Sequence, residues 1–359
     1  MSEDIDVLEQ AGEACRAIRT YLDTIAHCVH AAVTVEDRIA PARLEAEQHR
    51  VHGFAWASTL LAALEALRDW AHRAAGDGTP AEIERLTLQI VFGEYCAQLL
   101  GGIAMSATEF VRPADWGAED AAAHLRANAA VVRFLGHGNT AANRLRLTEL
   151  AGQGERPDEA LGDETLDLIR AQFRAFTADR IAPHAHDWHL ADALIPAEVI
   201  EHMAELGVFA ICIEEEYGGL GLGKLAMSVV SEELSRGWIC AGSLGTRSEI
   251  AGELIGRNGT PEQKARWLPG LADGSILPTA VFTEPDTGSD LASVRTRAVR
   301  RADGGWDVSG AKTWITHAAR ADLMTMMVRT DPAEQGYAGL SMLIAEKSLQ
   351  FLIWTRTLA

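Results

Sequence analysis

The chain has 359 residues, enough for two or three domains, and 48% hydrophobic against 23% charged residues describes a globular protein with a sizeable core. Fifty-one acids against 32 bases give a net charge of −19, a surface that repels nucleic acid and anionic membranes and argues against both as partners. Five scattered cysteines (Cys15, Cys28, Cys96, Cys212, Cys240) without a C-x-x-C pair point away from zinc and disulfide frameworks, toward reduced thiols in a cytoplasm.

The opening MSEDIDVLEQ is acidic and lacks the basic and apolar regions of a signal peptide. Over residues 5–33, Ile5, Leu8, Cys15, Ile18, Leu22, Ile25 and Val29 recur in steps of three and four, predicting one long amphipathic helix. Trp56, Leu60, Leu64 and Leu67 predict a second, ended by Gly76-Asp77-Gly78-Thr79-Pro80. Thr79 as cap, with Pro80 in the first turn, predicts the start of a third. The apolar window 86–107 carries Glu94, Gln89, Gln98 and three glycines, which fits a buried bundle helix better than a membrane span. With the Ala-rich stretch 118–150, residues 1–150 read as an antiparallel helical bundle. His27 and His30, and His49 and His52, sit at i and i+3 without a third ligand, so solvated helix faces are expected and no metal site.

Residues 151–157 form the best linker. Beyond them, 163–181 reads as a helix ended by Pro183, and 195–206 as another closed by Gly207. Residues 217–223 (YGGLGLG) fail the G-x-G-x-x-G pattern, because Lys224 stands at its sixth position, so a dinucleotide fold is rejected for a mobile loop feeding a helix over 225–235. Residues 262–268, after Thr260-Pro261, form one more short helix. Past Pro278 the period changes. Val294, Thr296 and Ala298, then Trp306 and Val308, alternate about the Asp303-Gly304-Gly305 turn and predict a hairpin, with further strands at 323–328 and 340–345.

The segment 281–316 carries the chemistry. It reads as two short strands bearing a hydroxyl-rich turn broken by glycine and an aromatic edge, a combination suited to a flat cofactor with a polar rim. Its TEPDTGSD (283–290) and KTWIT (312–316) resemble the flavin-binding signature of the acyl-CoA dehydrogenases. EEYGGLG (215–221) and RWLP (266–269) follow in family order. The resemblance covers residues 155–347, and two departures stand out: His317 where the family commonly has Asn, and Glu214 where it commonly has Pro.

The resemblance implies an α+β architecture: an N-terminal helical extension (1–150), a central all-α domain (155–275), an incomplete β-barrel domain (276–347), a divergent tail (348–359), and no C-terminal four-helix bundle, as in a truncated chain. It also implies FAD. Val281, Phe282 and Thr283 would line the flavin's pyrimidine edge, Trp314 would flank the ring, Thr316 would approach N5, and Ile315 between them would also belong to the cofactor site. Gly288 and Ser289 would admit the cofactor pyrophosphate and the CoA chain. The implied activity is α,β-dehydrogenation of a short branched acyl-CoA, with the extension and WITHAAR (314–320) pointing to the branch that turns methylsuccinyl-CoA into mesaconyl-CoA. Electrons would pass to an electron-transfer flavoprotein, and the protein would be cytoplasmic and homo-oligomeric. Arg247 is the candidate for the substrate's distal carboxylate. The α-proton base is expected in the absent domain, so no catalytic residue is named. Glu284, before a proline in a turn, is expected to be structural. The other readings are a non-catalytic flavin- or CoA-binding remnant or helical interaction protein, and an acyl-CoA oxidase.

Overall fold

A computed structural model describes residues 7–76 and 78–347, and the tail 348–359 lies outside the described residues. The chain divides into two compact units, residues 1–162 and 163–359.

The first unit is built on the long helix α1 (Val7–Val33). Leu8, Cys15, Ile18, Leu22, Ile25 and Val29 of the predicted stripe are all buried there, with Ala11 and Ala14 between them. A small hairpin follows, β1 (Thr34–Val35) and β2 (Arg38–Ile39). Its turn residues Glu36 and Asp37 both hold positive φ, which the sequence hid because neither is Gly or Asn. Then come α2 (Pro41–Ala46) and α3 (Gln48–Ala75). Trp56 departs from the predicted seam of α3: it is exposed, its indole donates to His52 Nε2 at 3.1 Å, and Gly53 and Ala57 face the core instead.

Helix α4 spans Glu82–Gly101. It starts later than predicted, with Ala81 at the cap, so Thr79 and Pro80 lie in the preceding loop. Gly93 of α4 is required by packing, since a Cβ there would stand 2.4 Å from the Asn139 amide. Strands β3 (Ile103–Ala104) and β4 (Phe110–Val111) and the short α5 (Pro113–Trp116) connect to the stretch expected as a single segment. It is three helices: α6 (Glu119–Ala127), α7 (Ala129–His137) and α8 (Ala141–Gly152). Asn128 and Thr140 break it, each capping the following helix through its side chain. The chain leaving α8 is strapped to the bundle at Asp158. The Trp70 indole donates to the Asp158 carbonyl at 2.7 Å, and the Asp158 amide donates to buried Glu84 at 2.9 Å.

The second unit opens with α9 (Glu164–Arg180), capped by Asp163. Pro183 does not end a helix; it sits in the first turn of the next, α10 (Ala182–Leu190), where a missing N–H costs nothing. Helix α11 (Ala197–Glu205) is followed by Gly207 at φ +79. The glycine-rich loop is tied down: the amides of Leu220, Gly221 and Leu222 donate to the carbonyls of Ala210, Ile213 and Ile211. A Cβ at Gly219 would meet the Ile213 carbonyl oxygen at 1.9 Å. Helices α12 (Gly223–Gly237), α13 (Ile239–Asn258) and α14 (Pro261–Ala272) complete the helical layer, the last opened by a Thr260–Gln263 capping box. On α12, Glu233 is buried and gathers Arg174 at 2.7 Å, joining α9 to α12.

The sheet comprises β5 (Pro278–Val281), β6 (Arg297–Arg300), β7 (Trp306–Ser309), β8 (Leu323–Arg329) and β9 (Leu340–Glu346). β5 runs parallel to β8, β6 and β7 form the predicted hairpin, β6 meets β8 at Arg297–Arg329, and β9 pairs antiparallel along all of β8. Among the described residues the sheet is open rather than a closed barrel.

Candidate functional site

The site grows from the ends of β5 and the loops after β7. Val281 is buried as the last residue of β5, and Phe282 and Thr283 continue into a turn closed by Glu284 and Thr287, whose amides and carbonyls pair at 2.8 and 3.1 Å. Thr313 donates to the Thr283 carbonyl at 3.0 Å, bringing the two motifs side by side. The second motif differs from the expected strand: residues 312–315 are irregular and run into a turn over 316–320.

What holds the two motifs together is an ion pair. Glu284 is buried, and its carboxylate accepts the amides of Arg295 and Thr296 at 2.8 Å each, the Thr296 hydroxyl, and the Lys312 ammonium at 3.0 Å. Burial pushes this carboxyl up, but the bonds from Thr296, Arg295 and Lys312 outweigh it and hold the pKa at about 2. Lys312 also donates to the carbonyls of Phe282 and Met327, at 2.8 Å each. Burial lowers its pKa, against the pull of Glu284. Glu284 is spent on structure and is in no position to act as a free base.

Trp314 is 82% exposed with φ at +57, an uncommon conformation for so large a residue. Ile315 packs beneath the sheet, and the Thr316 carbonyl accepts the Thr279 hydroxyl at 2.7 Å. Gly288 and Ser289 are exposed, and a Cβ added at Gly288 would meet nothing within 4 Å, so the space beside it is open. A bare indole face, an open glycine turn and the half-buried backbone of Phe282 and Thr283 fit a flat cofactor with a polar rim.

Beside Thr316 lies a pocket of about 190 Å³, lined by Ile195, Trp238, Leu244, Thr316, His317 and Arg320, among others. Among the described residues, no carboxylate lines it. Arg247, on α13, does not line it either; its Nε is buried without a hydrogen bond, and burial lowers its pKa. Its charge is felt at His317, whose pKa burial lowers against a hydrogen bond with the Pro278 backbone that raises it, with Arg247 and Arg320 lowering it further and Asp322 opposing them. A larger groove of about 540 Å³ runs between Leu254, Trp306, Val308, Met342 and Ile344, but holds none of these residues. Lys312 and Arg320 received no role from the sequence; the signal for Lys312 was its place in KTWIT.

Two family profiles match the chain: acyl-CoA dehydrogenase, N-terminal domain, over residues 163–275, and acyl-CoA dehydrogenase, middle domain, over 279–358, together more than half of its length. The chain belongs to the acyl-CoA dehydrogenase family. These are oxidoreductases acting on CH–CH donors, and they are FAD enzymes. The chain is 51% identical over 95% of its length to (2S)-methylsuccinyl-CoA dehydrogenase of Cereibacter sphaeroides, of which it covers 62%. It is 34% identical over 50% of its length to glutaryl-CoA dehydrogenase of Desulfococcus multivorans, of which it covers 47%. Among solved structures, acyl-CoA dehydrogenase from Geobacillus kaustophilus is 34% identical with a TM-score of 0.48, over 52% of this chain and 48% of that one. The chain thus spans less than two thirds of the length of these relatives. In this acyl-CoA dehydrogenase chain, no group of three or more His, Cys, Asp or Glu that could hold a metal occurs among the described residues. No helix there is long and apolar enough to cross a membrane.

Proposed function

We propose that this acyl-CoA dehydrogenase chain carries the flavin half of an enzyme that oxidises a short branched acyl-CoA, methylsuccinyl-CoA to mesaconyl-CoA, in the cytoplasm. The observation that carries the reading is the pairing of the two motifs through Lys312, Glu284 and Thr313, which presents Trp314 to solvent beside Thr316. The 51% identity to a methylsuccinyl-CoA dehydrogenase supports the substrate.

FAD, held by Val281, Phe282, Thr283, Gly288, Ser289, Trp314, Ile315 and Thr316, would supply the hydride acceptor. The chain's own residues do the rest. Backbone groups of Phe282 and Thr283 are fixed by Lys312 and Thr313 before any ligand arrives, so no ordering is needed there. Ser289 and the open space at Gly288 admit the CoA chain. Arg247, half-buried, with its Nε shielded from solvent and without a hydrogen bond among the described residues, is our candidate cation for the distal carboxylate. Electrons would leave to an electron-transfer flavoprotein, and the enzyme would self-associate. The domain division given above is part of this reading.

A second reading is favoured by the absence of carboxylates from the pocket lining. By it, this chain alone binds flavin and CoA without removing the α-proton. Reconstitution with FAD, followed by anaerobic addition of methylsuccinyl-CoA, separates the two. Flavin that binds and bleaches supports dehydrogenation, flavin that binds and stays oxidised supports the second reading, and no bound flavin overturns both.

A further inference from the structure

We infer that Arg329 is a positioning residue for the CoA chain: from the end of β8, its guanidinium fixes the loop that presents Ser289 and locks it to the loop joining β8 to β9. The inference rests on the reading above, in which the CoA chain passes Ser289, and adds the residue that sets this loop in place.

Ser289 stands in a stretch with little of its own to hold it. Gly288, Ser289 and Asp290 are exposed, and the backbone amides from Gly288 to Ala292 donate to nothing among the described residues. These donors are left for solvent or for a ligand. The local bonds are those of a single 3-10 turn, Leu291–Ser293, in which Ser293 gives its amide and hydroxyl to Asp290 and Val294 gives its amide to Leu291. An ion pair of Arg295 with Asp286 spans the stretch at 3.5 Å, but the two side chains are 79% and 72% exposed, and such pairs hold little.

Arg329 supplies the missing anchor. Its Nη2 donates to the Ala292 carbonyl at 2.8 Å, its Nε to the Val294 carbonyl at 3.1 Å, and its own amide to the Thr296 carbonyl at 2.7 Å. On its other side, Nη1 donates to the Glu334 carbonyl at 2.9 Å and, at 3.4 Å, to that of Gly336. Gly339 closes this second loop so tightly that a Cβ there would stand 2.6 Å from Nη1. All of these side-chain bonds go to main-chain carbonyls, so the charge is spent on fixing backbone. Only a planar fork of donors can serve two loops at once in this way.

A loop held in its bound arrangement before the ligand arrives spares the cost of ordering it at binding. Without Arg329, one or two residues around Ser289 would have to be ordered by the CoA chain itself, which lowers affinity about ten- to a hundredfold. The flavin contacts at Phe282 and Thr283 are held separately, by Lys312 and Thr313, so they do not depend on Arg329.

The test is anaerobic titration of the FAD-loaded 359-residue chain and its R329Q variant with butyryl-CoA. We expect R329Q to retain its FAD and to bind butyryl-CoA about ten- to a hundredfold more weakly than the parent. An Arg329 that serves stability alone would lower the unfolding midpoint and leave the thioester affinity of the folded chain unchanged. A folded R329Q that loses FAD and thioester together, or neither, overturns the inference. If R329Q does not fold, amide exchange in the parent chain decides. Ser293 and Val294 should exchange slowly in the flavin-loaded chain before butyryl-CoA is added, and as slowly after. Fast exchange that slows only with the thioester would show that the ligand orders the loop, and overturns the inference. A parent chain that binds no butyryl-CoA overturns the underlying reading as well, which sets that outcome apart.

Discussion

Lys312 donates to Glu284 at 3.0 Å and to the Phe282 carbonyl at 2.8 Å, so one ammonium ties the turn of the first motif to the strand end that precedes it. Thr313, the next residue, bonds to Thr283. The two motifs are therefore one structural unit, and the ion pair sets their spacing before any ligand binds.

Removing one partner of this pair should cost far more than an exposed ion pair would. K312M leaves a buried carboxylate facing only neutral donors and frees the Phe282 and Met327 carbonyls. A loss of about 3–5 kcal/mol is expected, read from urea unfolding of the 359-residue chain. A loss below about 1 kcal/mol, the range of exposed pairs, would mean the pair does not hold the site.

The same carboxylate sets an acid limit. Glu284 titrates at about 2 in the folded protein, below its ordinary value of 4.5. Its stabilisation is therefore fully present above pH 4.5 and lost as pH falls from there toward 2, by about 3 kcal/mol in total. Acid unfolding followed by circular dichroism should show E284Q losing this slope relative to the parent chain. Equal slopes would contradict the assignment.

Trp314 is 82% exposed, so it should add little to folding, and the proposal gives it a part in flavin binding. W314A should leave the unfolding midpoint in place and weaken FAD binding by about 1–3 kcal/mol through lost stacking. Unchanged FAD affinity would remove Trp314 from the site.

Arg247 should discriminate between substrates. In an enzyme that includes whatever supplies the base, R247A is expected to lower kcat/KM for methylsuccinyl-CoA by about 1.5–3 kcal/mol relative to butyryl-CoA, the worth of a hydrogen bond to a charged group. An unchanged ratio of the two would count against the proposal.

The strap at Asp158 predicts a boundary. W70F deletes the bond to the Asp158 carbonyl, worth about 1 kcal/mol, and should make the segment around residues 155–162 a faster target for limited proteolysis. Cleavage at the parent rate would show that the strap holds nothing.

Periodicity made the helices legible: the stripe of α1 appears in the sequence as it appears in the core, because one face meets one neighbour. It failed where a single residue outweighs the pattern. Asn128 and Thr140 each start a new helix by capping it, inside a run rich enough in alanine to look continuous. Pro183 looks like a stop in the sequence and is a start in the structure, since proline is equally at home in a first turn. At the site, resemblance identified the strings, while the bond from Lys312 to Glu284 crosses 28 residues of chain and leaves no local signal.

The measurement that bears most directly on the central claim is FAD binding by the 359-residue chain and its K312M variant, followed by flavin absorbance after dialysis. The account predicts one FAD retained per parent chain and a clear loss in K312M under conditions where that variant is still folded by circular dichroism. A parent chain that retains no flavin, or a folded K312M that retains as much as the parent, would contradict it.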